Sequence, residues 1–441
     1  MRLNVNEALS AVNGTLLFGD SNIEFDIIST DSKKKISGSL FIPIKGEHFN
    51  GHDFIEDAVK NGALGYFSED NQKFSCGFGI QVKDTKKALG DLAKYVLAKI
   101  NPTVVGITGS VGKTTTRQFI AAILSEVGKT AVTPGNFNND IGLPLSILAM
   151  EGDEKFAVLE MGMNSLGEIS YLTKIARPDI AVITLIGMSH IERLGSQENI
   201  LKAKLEILEG LKENGKIIFN GADPILLGLK EKYKPEYYGT DISVISDSPT
   251  GKFTIDNETY EIDIAGRHNI TNASCGILIG KLFGTTPDHI RVGLKSFEPE
   301  KHRQKIVQMG EKTIIEDYYN ASLDSDIAAL SVLKSCAAKR RVAILGAIGE
   351  LGEYLEDILC KVGRAVFESE ADLLICVDSD SNYIKEGALK AGMPADKIFY
   401  FKTKDEFYKD INSILKDGDT ILIKASRAYK FEELHEFLKG S

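Results

Sequence analysis

The most constraining feature of this sequence is a glycine-rich segment, Gly106 to Thr116, which reads GITGSVGKTTT. It follows the apolar residues Thr103 to Val105 and precedes a helix-like stretch, Gln118 to Leu124. A strand, a glycine loop and a helix that opens with lysine and threonine are typical of a phosphate-binding site, because backbone N–H groups and the helix N-terminus attract an anion. The segment therefore predicts a nucleotide-phosphate site within an α/β fold.

The residues of this loop have distinct expected contacts. Lys113 is expected to reach the β- and γ-phosphates, and the Thr114 hydroxyl to bind Mg²⁺. The strict P-loop pattern requires glycine where Ile107 stands, whereas glycine here recurs at every third position. The alternative interpretation is a glycine-rich turn without a ligand. The expected phosphate-binding residues are Gly109, Ser110, Val111, Gly112, Lys113, Thr114 and Thr115.

The alternation of apolar strands and helical patterns predicts the architecture. A chain of 441 residues is too long for one core and suggests about three domains. The Asn101-Pro102 dipeptide and Pro299 mark the expected boundaries, which gives domains 1–99, 100–298 and 299–441. We expect a doubly wound, mostly parallel sheet in the central domain and a Rossmann-like third domain.

Composition excludes several classes of protein. The net charge of −10, without a basic block, argues against a nucleic-acid partner. No apolar run reaches the length of a membrane span, so no membrane insertion is expected. The N-terminus lacks an apolar signal core, and the five cysteines are scattered, which favours reduced thiols in the cytoplasm. We also expect a monomer.

Three further residues are candidates for catalysis or metal binding. Glu160 and His190 follow predicted central strands, at the sheet edge where ligands bind in open α/β folds. Each is a candidate Mg²⁺ ligand; the alternatives are a helix-capping acid for Glu160 and an ordinary loop histidine for His190. Lys204 lies in a helix-like stretch, Glu198 to Leu211, and a lone helical lysine is usually a solvated surface charge.

Two asparagine-containing segments allow two interpretations each. Asn136, Asn138 and Asn139 are either formers of a local turn or donors to substrate oxygens. The segment Gly266 to Asn272 heads a helix and supplies either its cap or contacts to a nucleotide base. Spacing alone does not decide between these roles.

Together these segments resemble the Mur ligases, the ATP-dependent amide-forming enzymes of peptidoglycan precursor synthesis. The similarity covers essentially the whole chain, and the family's own loop has glycine at every third position. The motifs are most similar to those of the member that adds D-alanyl-D-alanine to UDP-N-acetylmuramoyl-tripeptide. The further residues that carry the resemblance are Asp31-Ser32, Gly46 to Asp53, Asn138 to Gly142, Glu160 to Asn164, His190 to Glu192, Lys202 to Lys204, His268-Asn269 with Asn272, Asp317 to Ala321 and Glu350 to Glu353.

The resemblance implies roles for individual residues. Lys204 matches the family's carbamylated lysine, which with Glu160 and His190 belongs to the Mg²⁺ sites; Lys113, His190 and Lys204 are the expected catalytic residues. ATP is expected to contact His268, Asn269 and Asn272 at its base, and Arg303 and Asp317 from the third domain. The expected substrate-binding residues are Asp31, Ser32, Gly46, His52, Asn138, Asn139, Tyr319 and Asn320.

The chain departs from the family pattern mainly in the third domain, where the family receives the incoming amino acid or dipeptide. Ala347 replaces an acid, Leu359 a histidine and Ala425 a glycine, and Ser322-Leu323 stands for Asn-Pro. In the first domain, Lys33 replaces an arginine. Three hypotheses follow: a D-Ala-D-Ala-adding ligase, a diverged Mur-type ligase with another substrate pair, and a nucleotide-binding switch without ligase activity. The third residue of the tripeptide is not readable from the sequence.

Overall fold

The computed structural model describes residues 1–440. By the density of internal contacts the chain divides into two compact units. The first unit contains Met1–Thr108, Gly128–Val182 and Leu205–Ile217; the second contains Gly109–Val127, Ile183–Lys204 and Ile218 onward. The two predicted domain boundaries are not tested by this division and stay a prediction.

The N-terminal segment forms a small mixed sheet with three helices. Its elements are β1 (Leu3–Asn4), α1 (Val5–Val12), β2 (Thr15–Phe18), β3 (Glu24–Phe25), β4 (Ile28–Ser29), β5 (Ser39–Phe41), α2 (Ile55–Lys60), β6 (Ala63–Ser68), β7 (Phe78–Gln81) and α3 (Thr85–Ile100). The five-stranded sheet has the order β2-β7-β6-β5-β4 and is parallel except between β2 and β7. Asp84 caps α3 through the backbone N–H of Lys87, and Asn101 ends it in the left-handed conformation.

The middle of the chain alternates strands and helices as predicted. Its elements are β8 (Thr103–Thr108), α4 (Lys113–Ser125), β9 (Thr130–Val132), α5 (Gly142–Leu148), β10 (Phe156–Glu160), α6 (Glu168–Ala176), β11 (Ile180–Ile183), α7 (Ile191–Leu194), α8 (Gln197–Leu205), β12 (Lys216–Asn220), α9 (Pro224–Leu227), α10 (Lys230–Tyr233), β13 (Glu236–Tyr238), β14 (Ser243–Ser246), β15 (Gly251–Ile255), β16 (Glu258–Ile262), α11 (Arg267–Leu282) and α12 (Pro287–Lys295). A six-stranded sheet has the order β13-β12-β11-β8-β10-β9. The strands β14 to β16 form a separate antiparallel sheet that the sequence pattern did not predict.

Helix α4, which follows the glycine loop, is anchored by its apolar face. Phe119 and Ile123 are fully buried against Phe253 of β15, Tyr260 of β16 and Ile277 of α11. The Phe119 ring also stacks on Phe297 with centroids 4.0 Å apart. This packing fixes the helix whose N-terminus borders the loop.

The C-terminal part is a second six-stranded sheet covered by helices. Its elements are β17 (Lys305–Met309), β18 (Lys312–Glu316), α13 (Leu323–Ser335), β19 (Arg340–Leu345), α14 (Leu355–Glu368), β20 (Leu373–Val377), α15 (Asn382–Ala391), β21 (Ile398–Phe401), α16 (Lys404–Ile414), β22 (Asp419–Lys424) and α17 (Glu432–Gly440). The order is β17-β18-β22-β19-β20-β21, and only the edge strand β17 runs antiparallel to its neighbour. This is the predicted Rossmann-like arrangement.

Candidate active site

The glycine loop between β8 and α4 has a backbone that requires glycine. Gly109 and Gly112 adopt φ values of +148° and +84°. A Cβ atom on Gly109 would lie 2.0 Å from Thr184 Oγ1, and one on Gly112 would lie 3.0 Å from Asn272 Oδ1. The loop is therefore closed to side chains at both positions, as expected where backbone N–H groups must approach a ligand.

Polar contacts from the segment after β11 hold this loop in place. The Thr184 hydroxyl donates to the Val111 carbonyl over 2.5 Å, and the Gly187 N–H donates to Ser110 Oγ over 3.0 Å. The Lys113 ammonium donates to the carbonyls of Gly109 and Ser110, at 2.8 and 3.2 Å. The lysine is thus held against the loop itself, where a bound phosphate would compete for it.

His190 lies at the start of α7 in the left-handed conformation, with φ +64°. Its Nδ1 atom is 2.6 Å from Glu350 Oε2, so one ring nitrogen is engaged. Burial lowers the pKa of His190, opposed by Glu350 and assisted by the charges of Lys204 and Lys113. The charges of Lys204 and Lys113 therefore both act on His190 and favour its neutral imidazole.

Lys204, near the end of α8, is only 1% exposed. The interpretation of this lysine as a solvated surface charge is therefore wrong. Burying an ammonium group costs free energy unless nearby groups compensate its charge or the group is chemically modified. The burial of Lys204 therefore indicates a specific role for this side chain. Its carbamylation stays a prediction.

Glu160 is the last residue of β10 and is 2% exposed. Its Oε1 atom accepts a hydrogen bond from Asn138 Nδ2 over 2.8 Å, and its backbone N–H donates to Thr133 Oγ1 over 3.0 Å. The alternative of a helix cap is wrong, because α6 begins only at Glu168. A carboxylate at the carboxyl end of a parallel strand, oriented by an amide, suits a metal or substrate site.

The predicted metal ligands include oxygen donors of the kind that Mg²⁺ prefers. Residues 1–440 contain no cluster of three or more His, Cys, Asp or Glu side chains with the geometry of a metal centre. Mg²⁺ needs no such cluster, because it is usually held by one or two carboxylates together with water and substrate phosphates. Glu160 and the Thr114 hydroxyl supply oxygen donors of that kind.

The segment expected to contact a nucleotide base meets a residue that the sequence analysis missed. The Oε1 atom of Gln304 accepts from His268 Nε2 over 2.8 Å and from Asn269 Nδ2 over 2.7 Å. Asn272 Oδ1 accepts from Thr116 Oγ1 of α4 over 3.2 Å. Burial lowers the pKa of His268, which favours its neutral imidazole. The three hydrogen bonds join α11 to α4 and to Gln304, the residue immediately before β17.

Asp317, which follows β18, is fixed by a buried lysine. The Lys424 ammonium lies 2.7 Å from Asp317 Oδ2 and donates to the Asn320 carbonyl over 3.0 Å. It also lies 3.8 Å from Asp326 Oδ1. Nothing in the sequence around a single lysine signals such a role for Lys424.

Arg117 of α4 is a second residue that sequence reasoning missed. Its side chain is 2% exposed and pairs with Glu300 over 2.5 Å. The other Glu300 oxygen lies 3.7 Å from Nε of Arg303, which is one of the expected ATP residues. One carboxylate therefore joins the phosphate-loop helix to Arg303.

The residues expected to bind the UDP-sugar form local networks. His52 Nε2 accepts from the Glu69 N–H over 3.2 Å, so its Nδ1–H donates to Asn50 Oδ1 over 2.9 Å. Gly46 donates its N–H to the Phe49 carbonyl, while Asp31 and Ser32 lie in the turn after β4. Asn139 Oδ1 accepts from the Gly142 N–H over 2.7 Å and so stabilises the start of α5, which is the turn-forming alternative.

The departures in the third domain are mostly packing residues. Ala347, Leu359 and Ala425 are each fully buried. The Ala347 N–H donates to Asp378 Oδ2 over 2.8 Å. Ser322 caps α13 through the N–H of Ser325.

Among the helices of residues 1–440, none combines the length and the hydropathy that crossing a lipid bilayer requires.

Comparison with known proteins gives consistent matches along the chain. The family descriptions that match are "Mur ligase family, catalytic domain" over residues 24–96, "Mur ligase middle domain" over 107–280 and "Mur ligase, glutamate ligase domain" over 302–427. The UDP-N-acetylmuramoyl-tripeptide–D-alanyl-D-alanine ligase of Bacillus subtilis is 38% identical over 421 residues, 92% of each chain. The ligase of the same name from Escherichia coli is 32% identical and covers 98% of this chain and 97% of its own.

Solved structures agree with these matches. MurF from Acinetobacter baumannii superimposes with a TM-score of 0.90 at 29% identity, over 100% of this chain and 99% of its own. MurF from Thermotoga maritima, solved in complex with ADP, gives a TM-score of 0.82 at 28% identity, over 94% and 97%. The predicted α/β fold class is thereby confirmed. The glycine loop, the two parallel sheets and these matches lead to one conclusion: the chain belongs to the Mur ligase family.

Proposed function

We propose that this protein is an ATP- and Mg²⁺-dependent ligase that joins D-alanyl-D-alanine to UDP-N-acetylmuramoyl-tripeptide, a step of peptidoglycan precursor synthesis. The observation that carries the proposal is the closed glycine loop with Lys113, in a chain similar along its whole length to ligases named for that reaction. The ADP in the T. maritima MurF structure supports ATP as the phosphoryl donor.

A carboxylate is a poor acyl donor at neutral pH, so the reaction begins with its activation. ATP transfers its γ-phosphoryl group to the tripeptide carboxylate, which gives an acyl phosphate and ADP. The amine of the dipeptide then attacks the acyl carbon, and the tetrahedral intermediate collapses to the amide and phosphate. Holding ATP, the tripeptide carboxylate and the dipeptide amine in line contributes a large part of the rate enhancement.

The residues of this chain divide these tasks among them. The Lys113 ammonium neutralises negative charge on the transferring phosphoryl group, and the N–H groups of residues 109–115 hold the phosphates. Glu350 orients the His190 imidazole over 2.6 Å, while burial lowers the pKa of His190 and so disfavours a further positive charge near Lys113. Bound Mg²⁺ would supply positive charge at the phosphates, held by Thr114, Glu160, His190 and Lys204.

The remaining binding roles follow the same proposal. His268, Asn269 and Asn272 bind the nucleotide base, with Arg303 and Asp317 on the same nucleotide. Residues 1–99 bind the UDP-sugar end, residues 100–298 ATP, and residues 299–441 the dipeptide. The substrate contacts proposed are Asp31, Ser32, Gly46, His52, Asn138, Asn139, Tyr319 and Asn320. We place the enzyme in the cytoplasm as a monomer.

The test is an ADP-release assay with purified protein, ATP and Mg²⁺. UDP-N-acetylmuramoyl-tripeptide is paired with D-Ala-D-Ala and, separately, with single amino acids. We expect ADP release only when the tripeptide and the dipeptide are both present, and no release with Lys113→Ala. Turnover with a single amino acid but not the dipeptide would support the diverged ligase instead. Nucleotide binding without an amide product from any pair would support the switch.

A further inference from the structure

Two arginine side chains lie beside the ring of Tyr319. The guanidinium carbons of Arg303 and Arg427 are 4.0 and 5.8 Å from the ring centroid. Tyr319 follows β18 and Arg427 follows β22, and these strands are parallel neighbours. Their carboxyl ends therefore share one edge of the sheet, which is where ligands bind in such folds.

Nearby carboxylates balance only part of the positive charge at this edge. Arg427 is exposed, and its guanidinium makes no hydrogen bond or ion pair with any residue in 1–440. Glu300, the carboxylate closest to Arg303, is shared with the buried Arg117, and Arg303 Nε has no hydrogen-bond partner. By contrast, the neighbouring Lys424 is compensated by Asp317. An anion would gain from binding beside Arg427.

A short series of contacts joins Arg427 to His190. The adjacent Ser426 accepts a hydrogen bond at Oγ from the Gly349 N–H over 2.9 Å. Glu350, the next residue, lies 2.6 Å from His190 Nδ1. The Tyr354 hydroxyl also donates to the Gly195 carbonyl over 2.8 Å. Arg427 is therefore tied to the segment that contacts an expected catalytic residue.

We infer that Arg427 binds the terminal carboxylate of the incoming dipeptide, an assignment that rests on the proposed function. A guanidinium matches a carboxylate with two parallel N–H···O bonds, which fixes the position and orientation of the bound end. An extended dipeptide spans about 7 Å, and a single amino acid about half of that. A carboxylate anchor at a fixed distance from the reacting amine therefore selects substrates by length.

The experiment pairs a variant of the protein with a variant of the substrate. Steady-state kinetics are measured for wild type and Arg427→Met with D-Ala-D-Ala and with its C-terminal amide, D-Ala-D-alaninamide. We expect wild type to favour the carboxylate by about 10- to 100-fold in kcat/KM, the range of a charge-assisted hydrogen bond, and Arg427→Met to lose most of that preference. The KM for ATP should change less than about twofold.

A matched control is Arg364→Met, which removes another exposed arginine, on α14; its preference for the carboxylate should equal that of wild type. An equal loss for both substrates in Arg427→Met would overturn the assignment, since it would indicate packing alone. A raised KM for ATP with unchanged preference would assign Arg427 to phosphate instead. Absence of dipeptide turnover by wild type would refute the proposed function itself.

Discussion

Lys204 shows how burial changes the interpretation of a single residue. In the sequence it is one lysine in a polar helical stretch, and such residues are usually solvated. In the structure its side chain is 1% exposed, and its charge contributes to the lowered pKa of His190. Helical periodicity alone could not predict this, because the side that α8 buries depends on partners distant in sequence.

We predict that Lys204→Ala loses at least about 100-fold in kcat, the scale of one preorganised charge contact at a transition state. If a carbamate on Lys204 supplies the oxygens for Mg²⁺, short carboxylates such as formate or acetate should restore part of the activity. ADP release with and without added carboxylate measures both effects.

Lys174→Ala, which removes an exposed lysine on α6, should keep normal activity and show no response to carboxylates. Near-normal activity of Lys204→Ala would show that the buried lysine has only a structural role.

At the scale of elements, the sequence predicted helix α4, the strand β10 that ends at Glu160 and the Rossmann-like arrangement of the C-terminal sheet. The antiparallel strands β14 to β16 were missed because they interrupt the alternation of strands and helices with short segments that contain both buried and exposed residues. The contacts of α4 were likewise only partly predictable from the sequence. Its apolar residues were readable, whereas the pairing of Arg117 with Glu300 joins positions far apart in the chain.

We predict that Arg117 and Glu300 are energetically coupled. Glu300→Gln should lower the free energy of unfolding by about 3 kcal/mol, because a largely buried guanidinium loses a carboxylate. The double variant with Arg117→Met should lose clearly less than the sum of the single variants. Chemical denaturation of all four proteins measures the coupling.

The half-exposed pair Arg291 and Glu258 provides the comparison, since the coupling of solvated pairs is about 1 kcal/mol or less. Strict additivity of Arg117→Met and Glu300→Gln would contradict the prediction.

For the whole molecule, length and strand–helix alternation were sufficient for the fold class, because parallel sheets with crossover helices have few alternatives. The resemblance of motifs extended the prediction to the ligase family, which is confirmed. The charge network around Lys424 could not be predicted from the sequence, because it depends on how β18, α13 and β22 pack together. That network makes the stability of the molecule depend on pH.

Burial raises the pKa of Asp326 to about 7, partly offset by Lys424. An unfolded aspartate has a pKa of about 3.9, so between these values the folded protein holds the extra proton and its stability falls as pH rises. Asp326→Asn removes this dependence. We predict that the Tm of the variant, relative to wild type, increases by roughly 2 °C or more from pH 5 to pH 8.

Differential scanning calorimetry at the two pH values measures the shift, and the exposed Asp396→Asn should show none. A relative Tm that falls with pH would mean that the Asp326 carboxylate is stabilised in the folded protein.

The contact between position 109 and Thr184 also limits how this protein can evolve. Any side chain at position 109 would meet Thr184 Oγ1 at 2.0 Å and would have to adopt a left-handed backbone. Because the Thr184 hydroxyl also holds the Val111 carbonyl, a compensating change there would release the loop. Every nucleotide substitution that replaces this glycine adds a Cβ atom at that contact, so we expect resistance to a compound bound at the loop to arise at positions other than 109.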